Sequence, residues 1–272
     1  MISVSRLHFS YDGKSEVLSD INIDIDQRST AIIGQNGAGK TTFIKILKGL
    51  LKPGSGKVTI LGEDTAKRSA AQWAGVIGMV FQNPNDQIFK KTVLEETLFG
   101  PLNIKMMPKA ARENAMEALS AVGLADKTDS NPYDLNLSDK KLLCIASVLA
   151  MNTRVVIFDE PTIAQDWQGM ERIKNIIKAL KVQGKLVMTV VHDMDFVAEC
   201  FERVIVFNEG KVLLDGSTDY VFTQTDILRR ACVSPPHIVQ LGALAGLRRV
   251  CLTEDEFVLA YREKRCEELG VS

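Results

Sequence analysis

The sequence predicts an α/β fold with a mostly parallel sheet and flanking helices, and three observations carry that expectation. A short apolar run, Ala31-Ile32-Ile33, passes straight into a glycine-rich loop and then into a helical pattern. A second, Val155-Val156-Ile157-Phe158, ends in two carboxylates, and a third, Leu186 to Val191, follows one helix later. Continuous apolar runs bounded by loops mark parallel strands covered on both faces by helices. The 272 residues suffice for one substantial core of this kind plus an appendage.

The chain opens with a period of two: Ile2, Val4 and Leu7, a turn at Asp12-Gly13, then Ile21, Ile23 and Ile25. That alternation predicts an N-terminal antiparallel β subdomain. After the glycine loop, Phe43, Ile44 and Leu47 give Thr41 to Leu50 helical spacing. Residues 84–152 are mostly helical and predict an inserted helical subdomain, in which Pro101, Pro108 and Pro132 should each end or delay a helix. The parallel pattern resumes at Val155, followed by a helix carrying Met170, Ile173, Ile176, Ile177 and Leu180 that closes near Gly184.

Val204 to Phe207 and Val212 to Leu214 flank Asn208-Glu209-Gly210, a hairpin signal. Beyond Gly216 the character changes; Pro235-Pro236 separates two short segments, and Thr253 with Glu256 forms a capping box for a last helix. The expected division is 1–224 for the main domain and 225–272 for a small C-terminal appendage. No repeat is visible, which argues for one unit rather than a fused pair.

Composition narrows the function. Lys+Arg 33 nearly cancel Asp+Glu 34, so no broad basic surface calls for nucleic acid. Cys144, Cys200, Cys232, Cys251 and Cys266 are scattered without a CxxC or a nearby His pairing, as expected of reduced thiols in the cytosol rather than a zinc site. The first ten residues alternate like a strand and lack the order of an export signal. The longest apolar runs fall short of the ~20 residues that span a bilayer, so a membrane role is expected to be peripheral.

Gly34-Gln35-Asn36-Gly37-Ala38-Gly39-Lys40-Thr41 has the spacing of a phosphate-binding P-loop between strand and helix. Its glycines let backbone N–H groups point at the β-phosphate, and the helix N-terminus adds its positive end. Lys40 is expected to reach the β- and γ-phosphates, Thr41 to place its hydroxyl on Mg²⁺, and Thr42 to donate toward the α-phosphate. The core is therefore predicted to be that of a P-loop nucleotide hydrolase. Asp159 and Glu160 close the strand at Phe158, at the strand end where ligands sit in open α/β sheets. An Asp-Glu pair alone is more often a solvated turn; behind a P-loop, Asp159 is expected to hold Mg²⁺ through water and Glu160 to polarise the attacking water.

With Pro161-Thr162, then Ile163-Ala164-Gln165-Asp166 and later His192 in this order, the chain resembles the ABC ATPase family. The resemblance implies ATP with Mg²⁺ as ligand, Asp166 in the D-loop, and His192 beside the γ-phosphate in the transition state. It makes Gln82, in Met79-Val80-Phe81-Gln82-Asn83-Pro84, the Q-loop residue that senses Mg²⁺ and the attacking water. Tyr11 stands where the family stacks an aromatic ring on adenine, with packing on its own strand neighbours as the competing role.

One motif departs from the family. Leu137-Ser138-Asp139-Lys140-Lys141 stands where the family signature has Leu-Ser-Gly-Gly-Gln, the segment that caps the γ-phosphate bound by the opposite subunit. Ser138 is retained, but Asp139 brings a carboxylate toward a phosphate, and Lys140 and Lys141 offset it only if they turn inward. The site completed by this signature should be impaired, whereas the chain's own site keeps Lys40, Asp159, Glu160 and His192. That asymmetry favours a heterodimer with a second ABC ATPase subunit; the alternative is a homodimer that tolerates the change.

Phe81 to Phe89, Phe99-Gly100-Pro101-Leu102-Asn103, and Val233 to Val239 with Leu241 resemble the energy-coupling factor group, whose ATPases drive uptake of vitamins and of cobalt or nickel ions. The resemblance implies two ATPase subunits on the cytoplasmic face of the membrane, a transmembrane coupling protein contacted near the Q-loop at Asn83 to Phe89, and a membrane substrate-binding component. The C-terminal segment would contribute to the ATPase dimer. A soluble ABC ATPase not tied to a transporter, or a regulatory subunit that barely hydrolyses, shares the nucleotide motifs.

Overall fold

The alternation of the first 25 residues folds as a hairpin, β1 (Ile2–Ser10) against β2 (Glu16–Ile25), with Val4, Leu7, Leu18, Ile21 and Ile23 turned inward. The structure is a computed structural model that describes residues 2–269. β3 (Thr30–Ile33) leads through the glycine loop to α1 (Lys40–Leu47). The helix stops short of Leu50 because Gly49 turns left-handed at φ 78° and the amide of Leu50 closes onto the carbonyl of Lys45 at 2.9 Å. β4 (Ser55–Ile60) and β5 (Glu63–Asp64) complete a four-stranded antiparallel sheet in the order β2-β1-β4-β5. A short α2 (Ala70–Trp73) precedes β6 (Ile77–Val80).

Three helices follow: α3 (Val93–Asn103), α4 (Pro108–Ala121) and α5 (Leu137–Ala150). Pro108 opens α4 and Pro132 opens a 3₁₀ turn, as their missing amides require. Pro101 behaves differently and lies inside α3. Only two helical residues follow it, and the turn recovers at once, with Ile104 N donating to Gly100 O at 3.1 Å and Met106 N to Pro101 O at 3.0 Å. α5 packs on α3 and α4, and its buried run Lys141 to Val148 also rests on the main sheet. It joins the helical insertion to the core.

The chain then alternates through β7 (Val155–Asp159), α6 (Trp167–Val182), β8 (Leu186–Val190), α7 (Met194–Cys200), β9 (Arg203–Asn208) and β10 (Lys211–Ser217). The six-stranded sheet has the order β10-β9-β3-β8-β7-β6, parallel except for β10. Period two divides its side chains: Ala31, Ile33, Val156 and Phe158 face the helices from α3 onward, while Ile32, Ile157 and Val190 face α1 and the N-terminal sheet.

The chain ends in α8 (Thr218–Thr223), α9 (Thr225–Arg230), α10 (His237–Leu244) and α11 (Glu254–Leu269). The expected capping box forms in half. Thr253 accepts from Glu256 N at 3.2 Å, but the Glu256 carboxylate reaches one residue farther back, to Leu252 N at 2.7 Å. This part of the appendage belongs with α10, at whose C-terminal end the Ala245 carbonyl accepts from Lys264 of α11 at 2.7 Å.

Phe43 pins α1 to the sheet: it is fully buried, 5.2 Å from Phe207 between ring centroids. Phe43→Ala is expected to cost about 3–5 kcal/mol, read as a lower urea midpoint at unchanged slope.

Candidate active site

The C-terminal ends of β3, β7 and β8 converge, and the loops leaving them build the site. The loop after β3 is pressed against the β9–β10 hairpin. A Cβ on Gly34, at φ 139°, would lie 2.1 Å from the Phe207 carbonyl oxygen, so only glycine fits. The hairpin turn holds the loop from outside: Gly210 N donates to Ala38 O at 3.2 Å and Gln35 Nε2 to Asn208 Oδ1 at 3.1 Å. Gly39, left-handed at φ 96°, starts α1 without a side-chain cap, leaving the first-turn amides to an anion in the loop. Lys40 is 5% exposed, and its Nζ donates to Gly34 O at 2.6 Å and Gln35 O at 2.9 Å. Burial lowers its ammonium below the ordinary lysine value, with the charges of Glu160 and Asp159 opposing.

β7 delivers the two carboxylates to the same place. Asp159 accepts from the Thr41 hydroxyl at 3.3 Å; burial first, then the neighbouring charge of Glu160, pushes its carboxyl up to about 6. A dication beside it would restore the charged form. Glu160 takes a left-handed backbone, φ 51°, unusual outside glycine, and its amide donates to Val190 O at 2.9 Å. Both of its carboxylate oxygens are engaged: Gln82 Nε2 donates to Oε2 at 2.8 Å, and His192 Nε2 stands 3.0 Å from Oε1. Residues 78 and 32 positions away in the chain thus meet on one carboxylate. A cavity of about 320 Å³ is lined by Asn36, Gly37, Ala38, Gly39, Lys40, Thr41 and Thr42 together with Val17, Gln82 and Glu160.

Tyr11 reaches this loop: its hydroxyl is 3.1 Å from Thr42 Oγ1, and its ring, 63% exposed, stands edge-on to Phe9 at 4.9 Å. Asp166 does not join the Glu160 cluster. Its carboxylate caps α6, accepting from Gly169 N at 2.7 Å. Gln165, which the sequence does not single out, faces the signature segment instead: Ser138 Oγ donates to Gln165 Oε1 at 3.0 Å.

The signature residues part company. Asp139 is neutralised within its own chain by Lys127, 2.7 Å away, so its carboxylate is not the bare charge the sequence suggests. Lys140 is half-buried. Lys141, expected with Ser138 to face a second subunit, turns inward instead: it is 4% exposed and its Nζ donates to the Glu160 carbonyl of its own chain at 2.7 Å. Helical spacing explains the correction, because position 141 starts the buried run of α5. A second cavity, about 480 Å³, adjoins Gly34 to Asn36 and His192 and is closed by Val233 to His237, where His237 N donates to Asp195 Oδ1 at 2.8 Å. The imidazole of His237 pairs with the same carboxylate, which raises its pKa.

A glycine loop with a buried lysine, facing an Asp-Glu pair at the next strand end, defines a P-loop nucleotide hydrolase. Residues 18–163 match the family model described as ABC transporter, and the chain belongs to that family. It is an ATP-hydrolysing enzyme. A Pyrococcus furiosus protein named as an ABC transporter ATP-binding protein is 38% identical over 94% of this chain and 97% of its own. The energy-coupling factor transporter ATP-binding protein of Methanospirillum hungatei is 37% identical over 89% of this chain and 88% of its own. Among solved structures, cbiO1 from Clostridium perfringens, part of the ABC transporter complex cbiONQ, superposes with TM-score 0.74 at 30% identity, covering 90% of this chain and 98% of that one.

Proposed function

We propose that the chain hydrolyses ATP to energise an energy-coupling factor type importer of vitamins or transition-metal ions, working on the cytoplasmic face of the membrane as one half of an asymmetric ATPase pair. One observation carries the reading: a single segment connects the catalytic carboxylate to an open apolar groove. Gln82 holds Glu160 at one end, and Phe89, 53% exposed, stands in the groove at the other.

At the nucleotide, the loop amides and Lys40 hold the β- and γ-phosphates, Thr42 donates to the α-phosphate, and Tyr11 covers adenine. The hydroxyl of Thr41, the carboxylate of Asp159 and the amide oxygen of Gln82 are hard donors that would hold Mg²⁺, which would supply charge neutralisation at the phosphates. Glu160 accepts the proton of the attacking water as its oxygen bonds to the γ-phosphorus and ADP departs. Gln82 and His192, on its two oxygens, fix the direction of that carboxylate. His192 then lies beside the γ-phosphate, where it stabilises the transition state. Asp166 holds the D-loop by capping α6.

The groove measures about 540 Å³ and is lined by Phe81, Gln87, Phe89, Phe99, Ile104 and Met151. The segment divides its apolar residues between two tasks. Ile88 is 3% exposed and enters the chain's own core, while Phe89 stays out, edge-on to Phe99 at 4.6 Å. Glu96 sets this geometry by accepting from Phe89 N at 2.9 Å and Lys90 N at 2.8 Å. An apolar helix of a transmembrane coupling protein fits such a groove. No helix among the described residues is long and apolar enough to cross a membrane, so attachment comes through that partner. The membrane substrate-binding component sets the cargo.

The pair is asymmetric because Asp139 and Lys140 replace the close glycine backbone that a γ-phosphate in the facing subunit requires. A different ATPase chain with an intact signature completes the site on this one. Membrane extracts test the transporter reading: the chain should copurify with a polytopic membrane protein, and Phe89→Asp should abolish that while costing about 1–2 kcal/mol of folding stability, the loss of its edge-on pair with Phe99 included. Wild-type recovery of the membrane protein with Phe89→Asp would remove the groove from the account.

A further inference from the structure

We propose that Lys141 is a positioning residue for Glu160, so that the signature segment serves its own chain's active site. The inference rests on the reading of Glu160 as the catalytic base. Glu160 has a left-handed backbone that a non-glycine residue does not keep without support. Both of its backbone polar groups are tied down: the amide donates to Val190 O at 2.9 Å, and the carbonyl accepts from Lys141 Nζ at 2.7 Å. With Gln82 and His192 on the carboxylate, Lys141 supplies the contact that comes from α5.

The chemistry of the side chain fits that task. Among the described residues Lys141 forms no ion pair within 4.0 Å, so its ammonium is spent on one carbonyl beside two carboxylates, Asp159 and Glu160. Burying an ammonium for one carbonyl is costly; the charges of Glu160 and Asp159 offset that cost only in part, and burial holds the ammonium below the ordinary lysine value. Ser138 reinforces the arrangement from the same helix turn: its Oγ donates to Gln165 Oε1 at 3.0 Å, and its carbonyl accepts from Gln165 Nε2 at 3.3 Å. The segment is thus fastened to both ends of the loop Glu160 to Gln165. Ser138 and Lys141 brace the chain's own base.

The test uses the full chain with whatever subunits copurify. Lys141→Met keeps most of the length without charge, Lys141→Gln leaves a shorter neutral donor, and Lys141→Arg keeps a charged donor. Met and Gln are each expected to lower kcat roughly 10–100-fold with KM for ATP and affinity for a fluorescent ATP analogue within about twofold, and Arg to recover most of the loss. Amide hydrogen exchange across 160–165 should quicken about tenfold or more in the Met variant, and the rest of the chain should be unchanged. Wild-type kcat and exchange in the Met and Gln variants would overturn the proposal. So would equal losses of kcat, nucleotide affinity and Tm without rescue by Arg, since that pattern describes general destabilisation. Glu160→Gln, run alongside, separates the two levels: if it keeps turning over, the reading of Glu160 fails; if it alone is inactive, only the role of Lys141 fails. Should Lys141→Met not fold, the Gln and Arg variants decide by the same criteria.

Discussion

Glu160→Gln is expected to lower ATP turnover by roughly 10²–10⁴-fold and to leave ATP affinity within a few-fold. The substitution keeps shape but removes the charge, one acceptor and the capacity to accept a proton. Oε2 accepts from Gln82 at 2.8 Å, and His192 stands 3.0 Å from Oε1, so an amide placed there retains one partner and must reorganise at the other. The nucleotide, by contrast, is held by the P-loop and Lys40, which the change does not touch. Steady-state hydrolysis and equilibrium binding of a fluorescent ATP analogue, on the same preparations, separate the two quantities. A parallel loss of both would mean that Glu160 supports the fold of the site and not the chemistry.

Lys40→Ala acts on the other half of the site and is expected to show the reverse pattern, a fall in nucleotide affinity of about 10²-fold. Its ammonium, 5% exposed, donates to the carbonyls of Gly34 and Gln35, so the charge lies inside the loop concavity before any long-range steering matters. Truncation removes a desolvated cation from the place where the phosphates carry most negative charge. Fluorescence binding reads the effect directly. Affinity within threefold of wild type would assign phosphate recognition to the backbone amides alone.

Those residues were legible because each sits in a local pattern. The glycine spacing, the apolar run into Asp159 and Glu160, and the strand before His192 are contiguous features that strand and helix periods reveal. The order of motifs placed Gln82, Glu160 and His192 near one nucleotide as the resemblance implies, but their meeting on a single carboxylate is a contact only the structure supplies. What escaped the sequence are contacts between distant elements. The hairpin amide of Gly210 on Ala38, the pairing of Lys127 with Asp139 and the cap of Gln165 on Ser138 leave no period to read.

Lys141 shows the difficulty most plainly. Its place in the signature suggested an outward, partner-facing role, while its place on α5 put it on the buried face, and packing prevailed. Pro101 and Glu256 differ from expectation for smaller reasons, a helix already near its end and a side chain one residue longer in reach.

The central claim is that this chain carries the hydrolysing site of an asymmetric pair. In a membrane complex with the partner ATPase proposed above, Glu160→Gln and the equivalent substitution in the partner are to be compared by single-turnover ATP hydrolysis. The account predicts that Glu160→Gln removes nearly all activity and that the partner's substitution leaves most of it. Most activity surviving Glu160→Gln would contradict it.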